Sequence, residues 1–345
     1  MKKRVTLNDI AKEAGVSKMA VSLALRDDPS IGKETVRTIC RIAEEMGYAP
    51  NRIAKGLANG RTYTIAALVG GQFHDDYHNQ VLSGAMEYAM SRGYTLATGF
   101  SNSDPKTEAQ LVEKFDSMMV DGYLGFPCGS SDTYKKIYQS GTPLVMYTKY
   151  FSDLDCDYVV CDDIKGGRDM TRHLIRQGHE RIAFVFDSAL EFSSEVVNRI
   201  AGYREALEAH GIAFDSKLVI PYDYGFDPEK TIADNPGLVK LLRSDDAPTA
   251  AFVCNDIMAS LFYIFLKHIG CRIPQDISVC GYEGVYLGKI LDPPLTTVST
   301  PIRRIGETAC KLLMDKIEGV AEKEEVSQIS LEPTLAIRGS VVKCK

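Results

Sequence analysis

The chain has no run of eighteen apolar residues, which excludes an ordinary membrane-spanning helix. Its opening, MKKRVTLNDIAKEAG, carries basic residues with no apolar stretch behind them, so it does not read as a secretory leader. Nine cysteines, an odd number, scatter from Cys40 to Cys344 without a Cys-x-x-Cys. That argues against a disulfide framework or a zinc site and for reduced thiols in a cytosolic protein. Catalytic signatures are missing too: no G-x-S-x-G, no H-E-x-x-H, and no G-x-G-x-x-G after a strand. GVYLGKI at 284–290 is a residue short of a P-loop and has no Ser or Thr after its lysine. The common enzyme classes are therefore without their machinery.

What is present is unevenly charged. The net charge is −6, yet residues 1–61 hold twelve Lys/Arg against seven Asp/Glu, a net +5, which leaves −11 for the remainder. A basic head on an acidic body points to a polyanionic partner for the head, unless the basic residues are only a solvated surface. The 345 residues exceed one ordinary domain, and 45% hydrophobic with 25% charged is the usage of soluble globular proteins.

The first 48 residues read as three short helices. Thr6 caps a segment with Leu7, Ile10, Ala11 and Ala14 on one face, ending at Gly15. Val16 and Ser17 turn the chain into a second helix, residues 18–26, with Val21, Ala24 and Leu25 inward. After Asp27-Asp28-Pro29-Ser30, residues 33–46 form a third helix that buries Val36, Ile39, Cys40 and Ala43 and closes at Gly47. Helix, glycine turn, helix is the arrangement whose second helix enters the DNA major groove; a generic three-helix bundle is the alternative. Lys18, Met19, Ser22 and Leu23 are left outward, with Arg26 beside them. The following RIAKGLANG, 52–60, has helical spacing in Ile53, Ala54, Leu57 and Ala58, but Gly56 interrupts it and Asn-Gly ends it. So short a helix is marginal alone.

From Thr64 strands and helices alternate. Strand-length apolar runs lie at 64–69, 94–100, 122–126, 143–147, 181–186, 249–254 and 277–282. Amphipathic helices at 80–92, 106–118, 166–177, 196–210 and 256–269 separate most of them. This alternation predicts parallel sheets covered on both faces. About 280 residues of it exceed one doubly wound sheet, so two lobes are expected, split near 160–165, with a ligand cleft at the C-terminal strand ends.

Over VTLNDIAKEAGVSKMAVSLALRDDPSIGKETVRTICRIAEEMGYAPNRIAKGLANGRTYTIAALV the chain resembles the lac-repressor/galactose-repressor family of bacterial transcription regulators. The resemblance continues through HLIRQGHERIAFV, VNRIAGYREALEAHGI, AFVCNDIMA, VCGYEG, DPPLTTVSTP and IG. It implies an all-α helix-turn-helix DNA-binding head at 1–49 and a hinge-helix linker at 50–61. Behind them it implies an α/β periplasmic-binding-protein-like (type I) two-lobed effector domain at 62–345. The N-lobe is then about 62–162 and 299–325, and the C-lobe about 163–298 and 326–345. The implied partners are pseudo-palindromic operator DNA, a small-molecule effector and a second copy of the chain. The implied place is the cytoplasm, at the nucleoid, with no enzymatic activity, cofactor or metal. A chain ending at Lys345 without a heptad tail leans towards a dimer over a tetramer.

The same resemblance assigns roles. Lys18 reads guanine O6/N7, and Met19 and Leu23 touch thymine methyls; an aliphatic Leu23 departs from members with arginine there. Thr6, Ser17, Ser22, Arg26 and Ser30 contact phosphates. Asn51, Ala54 and Leu57 belong to the hinge, where Leu57 wedges into the minor groove and a helix too weak to stand alone folds on DNA. In the cleft, Arg199 supplies its fork, Asn255 an amide, Glu283 a carboxylate where the family usually has paired aspartates, and Tyr224 a stacking ring. Phe73, His74, Tyr77, Tyr147 and Lys149 face them from the N-lobe.

Other readings stand beside these. Arg199 is otherwise a surface ion-pair partner, Phe73 and Tyr77 lobe-packing aromatics, and His74 with His78, flanking Asp75 and Asp76, a metal site. The implied effector is a sugar or sugar derivative. A nucleobase or phosphoprotein corepressor is the alternative within the family. A sugar-binding protein without DNA function is the rival outside it.

Overall fold

The computed structural model describes residues 5–26, 28–48, 60–71, 75–128, 130–225, 227–320 and 325–344. They fall in two compact units, Met1–Thr62 and Tyr63–Lys345.

The first unit holds α1 (Leu7–Ala14), α2 (Lys18–Ala24) and α3 (Lys33–Glu45). Thr6 closes a capping box on α1: its backbone N–H donates to the Asp9 carboxylate at 2.8 Å, while its Oγ1 accepts from Asp9 N at 3.4 Å. Gly15, at φ 65°, ends the helix in the left-handed region. Ser17 Oγ then accepts from Ala20 N at 3.1 Å and starts α2. Ile10, Ala11, Val21, Ala24, Ile39, Ile42 and Ala43 fill the core. The expected burial of Cys40 is corrected: Cys40 is exposed and Ile42 is buried in its place. On a 3.6-residue helix, 39, 42, 43 and 46 share a stripe, and position 40 lies about 100° round from 39.

The second unit contains two six-stranded sheets. The first has the order β11-β5-β4-β3-β1-β2, with β1 (Thr64–Val69), β2 (Thr95–Phe100), β3 (Tyr123–Gly125), β4 (Leu144–Tyr147), β5 (Asp157–Cys161) and β11 (Gln328–Leu331), all parallel. The second has the order β12-β10-β9-β8-β6-β7. Its strands are β6 (Ile182–Asp187), β7 (Val219–Tyr222), β8 (Ala250–Val253), β9 (Ser278–Glu283), β10 (Thr296–Ser299) and β12 (Thr334–Ala336); only β12 runs antiparallel. Each expected apolar run lies on a strand. The short strands β5, β7, β10, β11 and β12 carry polar residues or proline and gave no apolar run to read.

The chain passes between sheets after Cys161, after Ser299 and between Leu331 and Thr334. The expected third lobe boundary at 325/326 is therefore corrected: β11 pairs with β5, so Gln328–Leu331 belongs to the N-lobe sheet. A four-residue strand with only Leu331 buried has too little apolar pattern to show which sheet it joins.

One packing device recurs in both lobes. In the N-lobe, α4 (Asp76–Ser91) crosses α13 (Ile302–Glu318) where Gly84 meets the Arg303 backbone and Gly306 meets the Val81 carbonyl, leaving no room for a Cβ on either. In the C-lobe, α7 (Asp163–Arg176) crosses α8 (Ser194–Ala209), with Gly167 against the Arg199 backbone and Gly202 against the Ile164 carbonyl. The second crossing brings Arg199 beside the start of α7.

The N-lobe also buries a carboxyl. Glu108, in α5 (Pro105–Ser117), is bonded through Oε1 to the Tyr134 hydroxyl at 2.6 Å, and that hydroxyl also reaches the Phe126 carbonyl at 2.9 Å. One phenolic hydrogen cannot serve both acceptors. A protonated Glu108 removes the conflict, consistent with burial pushing its carboxyl up to about 7.

Two predictions follow. Gly202→Ala and Gly306→Ala should each cost roughly 1–3 kcal/mol in urea unfolding, because backbone must move. Gly237→Ala, in an open helical position, should be neutral or slightly stabilising. A folded pKa above the unfolded one means that the native state holds the proton, so Glu108 contributes stability that is present below about pH 4.5 and lost as pH rises through 7. Relative to wild type, Glu108→Gln should gain roughly 2–3 kcal/mol between pH 4.5 and 8; a constant difference across that range would contradict this.

Candidate functional site

On α2 the core-facing Val21 and Ala24 leave the opposite surface to Lys18 and Met19, both exposed; Met19 is 71% exposed. Ser22 and Leu23 are half-buried beside them. Arg26 is exposed and folded back on this helix, Nε donating to Ser22 O at 3.0 Å and Nη2 to Ser22 Oγ at 3.1 Å. Two further hydroxyls named from sequence are already engaged: Thr6 Oγ1 donates to Asp9 at 2.7 Å and Ser30 Oγ to Asp28 at 2.6 Å. Thr6 and Ser17 thus shape the helix ends. A large exposed apolar side chain, flanked by a lysine and an arginine, is the form of surface that reads thymine methyls between phosphate contacts. Asn51, Ala54 and Leu57 lie outside the described residues.

In the second unit, the C-terminal ends of the parallel strands carry the chemistry. Arg199 is buried. Its Nε donates to Asp163 Oδ1 at 2.8 Å and its Nη1 to the Cys254 carbonyl at 2.6 Å, and its plane lies 3.8 Å from the centroid of Tyr282. These bonds leave Nη2 for another acceptor. Burial lifts the Asp163 carboxyl to about 6, and the guanidinium keeps it from going higher, so the pair is ionised at neutral pH. Arg199 is an ion-pair partner, but inside the lobe rather than on its surface.

Asn255 follows β8 and caps α11 (Asp256–His268), Oδ1 accepting from Met258 N at 2.7 Å, which leaves its amide hydrogens to donate elsewhere. Glu283 ends β9 at φ 105°, and its backbone carbonyl accepts from Thr300 N at 3.0 Å. Burial, with Asp256, Asp75 and Glu195 nearby, holds its carboxyl well above the ordinary range, against the pull of Arg199. Tyr224 is 37% exposed, lies 6.1 Å from the ring of Tyr222, and donates to Asp187 Oδ2 at 3.1 Å.

From the N-lobe, Lys149 meets this group. Its Nζ lies 3.9 Å from Glu195 Oε1, at the start of α8, and 4.4 Å from the Phe126 ring. Tyr150 N donates to Ser194 Oγ at 3.1 Å across the same gap. Arg199 thus bonds the carbonyl next to Asn255, Glu283 lies within electrostatic reach of Arg199 and Tyr224, and Lys149 reaches this lobe at Glu195.

One N-lobe tyrosine expected there is corrected. Tyr147 is buried with its hydroxyl on the Leu68 carbonyl at 2.9 Å. Tyr77 packs its ring in the N-lobe core, as the lobe-packing reading has it, while its hydroxyl, 2.9 Å from Thr148 Oγ1, stays within electrostatic reach of Arg199 and Glu283. Their rings follow strand alternation and helix face into the core. Phe73 and His74 lie outside the described residues. His78 is buried edge-on to Phe126, and burial drops its pKa to about 4. Among the described residues no group of three His, Cys, Asp or Glu is arranged to hold a metal.

Sequence reasoning missed Asp163, Asp187 and Glu195. Asp187 had a readable signal, being the last residue of a strand; Asp163 and Glu195 gain their meaning from contacts across helices.

The lacI-family model of bacterial regulatory proteins matches residues 6–51, and a periplasmic binding protein-like domain model matches residues 171–341. The ribose operon repressor of Haemophilus influenzae is 30% identical over 341 residues, 99% of each chain. The transcriptional repressor PurR of Vibrio atlanticus is 28% identical over 338 residues, 97% of this chain and 98% of that one. A solved complex of the transcriptional regulator CelR with cellobiose superposes with a TM-score of 0.70 at 28% identity, covering 98% of this chain and all of that one. With a basic helix-turn-helix head and a two-sheet ligand-binding body in one chain, this protein belongs to the lacI family of bacterial regulatory proteins, and is a DNA-binding transcriptional repressor rather than an enzyme.

Proposed function

We propose that this repressor binds a two-fold-symmetric operator as a homodimer, and that a sugar or sugar derivative in the cleft controls its grip. One set of contacts carries the ligand reading: Arg199 bonds the carbonyl next to Asn255, Glu283 lies within electrostatic reach of Arg199 and Tyr224, and Lys149 reaches Glu195 beside them. A guanidinium edge, an amide and a carboxyl beside a half-open ring match alternating hydroxyl donors and acceptors on an apolar-faced ring. The ribose operon repressor and the cellobiose complex among the relatives support the same class. A purine is the second reading, supported by the flat, partly exposed face of Tyr224 and by the PurR relatives.

In the head, Lys18, Met19 and Leu23 read bases and Arg26 steadies the backbone contact. Leu57, by the family resemblance, wedges the duplex at the dyad. Ligand and DNA then share one two-state body, so each changes the affinity of the other by the same factor.

The chain contains no tryptophan, so calorimetry and thermal shift are the natural readouts. Selection from random duplexes should return a pseudo-palindrome, and Met19→Ala should weaken discrimination at one base pair per half-site by about 1–3 kcal/mol. Uniform loss across all sequences would make Met19 a mere surface residue. Leu57→Ala should reduce both affinity and bending of the selected duplex. Among ribose, cellobiose, adenine and guanine, a sugar should raise the melting temperature and change operator affinity. Arg199→Lys and Glu283→Ala should each weaken its binding at least tenfold. A response to a purine alone would select the second reading.

A further inference from the structure

The segment after Glu283 does not stay with its own lobe. Val285 is 0% exposed and sits in the N-lobe core cluster with Tyr77, Val81, Ile302 and Ile305. Leu287 packs against the same cluster. Between them, the backbone N–H of Tyr286 donates to Asp76 Oδ2 at 3.2 Å, in the first turn of α4, and Gln80 Nε2 holds the same oxygen at 2.9 Å. One C-lobe loop is thus plugged into the N-lobe.

The loop is aimed by a buried carboxyl. Asp256 Oδ2 accepts from Gly284 N at 2.8 Å and Val285 N at 3.0 Å, and Oδ1 accepts from Thr297 Oγ1 at 2.6 Å. Asp256 is fully buried, so it is closed to a ligand. Gly284, at φ 81°, lies so near Ser299 that a Cβ would sit 2.8 Å from its hydroxyl. The segment has little slack.

Two neighbouring pairs therefore do different work. Asn255 and Glu283 carry polar groups at the strand ends; Asp256, next to Asn255, holds the loop by which Val285, two residues after Glu283, enters the N-lobe core. We propose that Asp256 and the loop 283–287 transmit cleft occupancy to α4, Asp256 as the positioning residue and Val285 as the plug. This rests on the reading of the cleft as the effector site. A ligand drawing on Glu283 or Asn255 displaces the two ends of one hydrogen-bonded unit. The rigid joint passes that displacement to Asp76 and Tyr77, at the start of the helix whose Gly84 crosses α13.

The test separates binding from coupling. Wild type, Val285→Ala and Asp256→Asn are compared for ligand affinity by calorimetry, and for operator affinity with and without saturating ligand, using whichever of ribose, cellobiose, adenine and guanine changes wild-type operator binding. Both variants should bind that ligand and free operator within about threefold of wild type, while the ligand-induced change in operator affinity falls at least fivefold. Hydrogen exchange should show faster exchange at residues 76–80 in both variants, with strands β8 and β9 unchanged. If Asp256→Asn does not fold, Val285→Ala decides alone. Wild-type coupling in a folded variant overturns the proposal. So does ligand affinity falling in step with coupling, which would make Asp256 part of the binding site. A wild type that responds to none of the four compounds overturns the cleft reading and this inference with it; a responsive wild type with equally responsive variants overturns this inference only.

Discussion

A buried arginine organises the C-lobe. A guanidinium out of water is tolerable only with a charge partner and hydrogen bonds, and Arg199 has both in Asp163 and the Cys254 carbonyl, with Tyr282 against its face. Each partner comes from a different element: the start of α7, the end of β8 and the interior of β9. The pair can form only because Gly167 and Gly202 let α7 and α8 approach to backbone contact. Replace either glycine by a larger residue and the arginine is carried away from its carboxylate. What the internal bonds leave over is one guanidinium nitrogen and the Asn255 amide, the groups on which the proposed ligand would draw.

The N-lobe is built on the same plan, with Gly84 and Gly306 at its helix crossing, but its polar groups are spent differently. Tyr147 bonds the Leu68 carbonyl, Tyr77 the Thr148 hydroxyl and Glu108 the Tyr134 hydroxyl, all within the lobe. Lys149 reaches the other lobe, where it faces Glu195, and Asp76 accepts from the Tyr286 backbone. The asymmetry gives the C-lobe more of the polar contacts available to a ligand.

Legibility in the sequence followed the range of the interaction. The head's caps and glycine stop are contacts of three or four residues, and Thr6, Gly15 and Ser17 behave as their spacing indicates. Cys40 was misread because a stripe one residue too wide fits a thirteen-residue helix almost as well. In the body the long apolar strands were plain, whereas β11, with a single buried residue, could not be assigned to a lobe by pattern. Arg199, Asn255 and Glu283 stood out through the motifs around them. The inward turn of Tyr147 did not, because a strand-end tyrosine serves core and cleft equally well until its hydroxyl finds a partner.

The sequence alone determined the kind of protein: a basic three-helix head, a chain of alternating strands and helices, and polar residues placed just after strands. Those features repeat with period two or 3.6, or sit at caps, and a linear reading detects them. Only the tertiary structure decided which side chains complete one another, since Asp163 with Arg199, Lys149 with Glu195 and Tyr286 with Asp76 are 36, 46 and 210 residues apart. Such pairs depend on sheet order and on how closely two helices cross, and both are settled by burying charge and excluding side-chain volume in three dimensions.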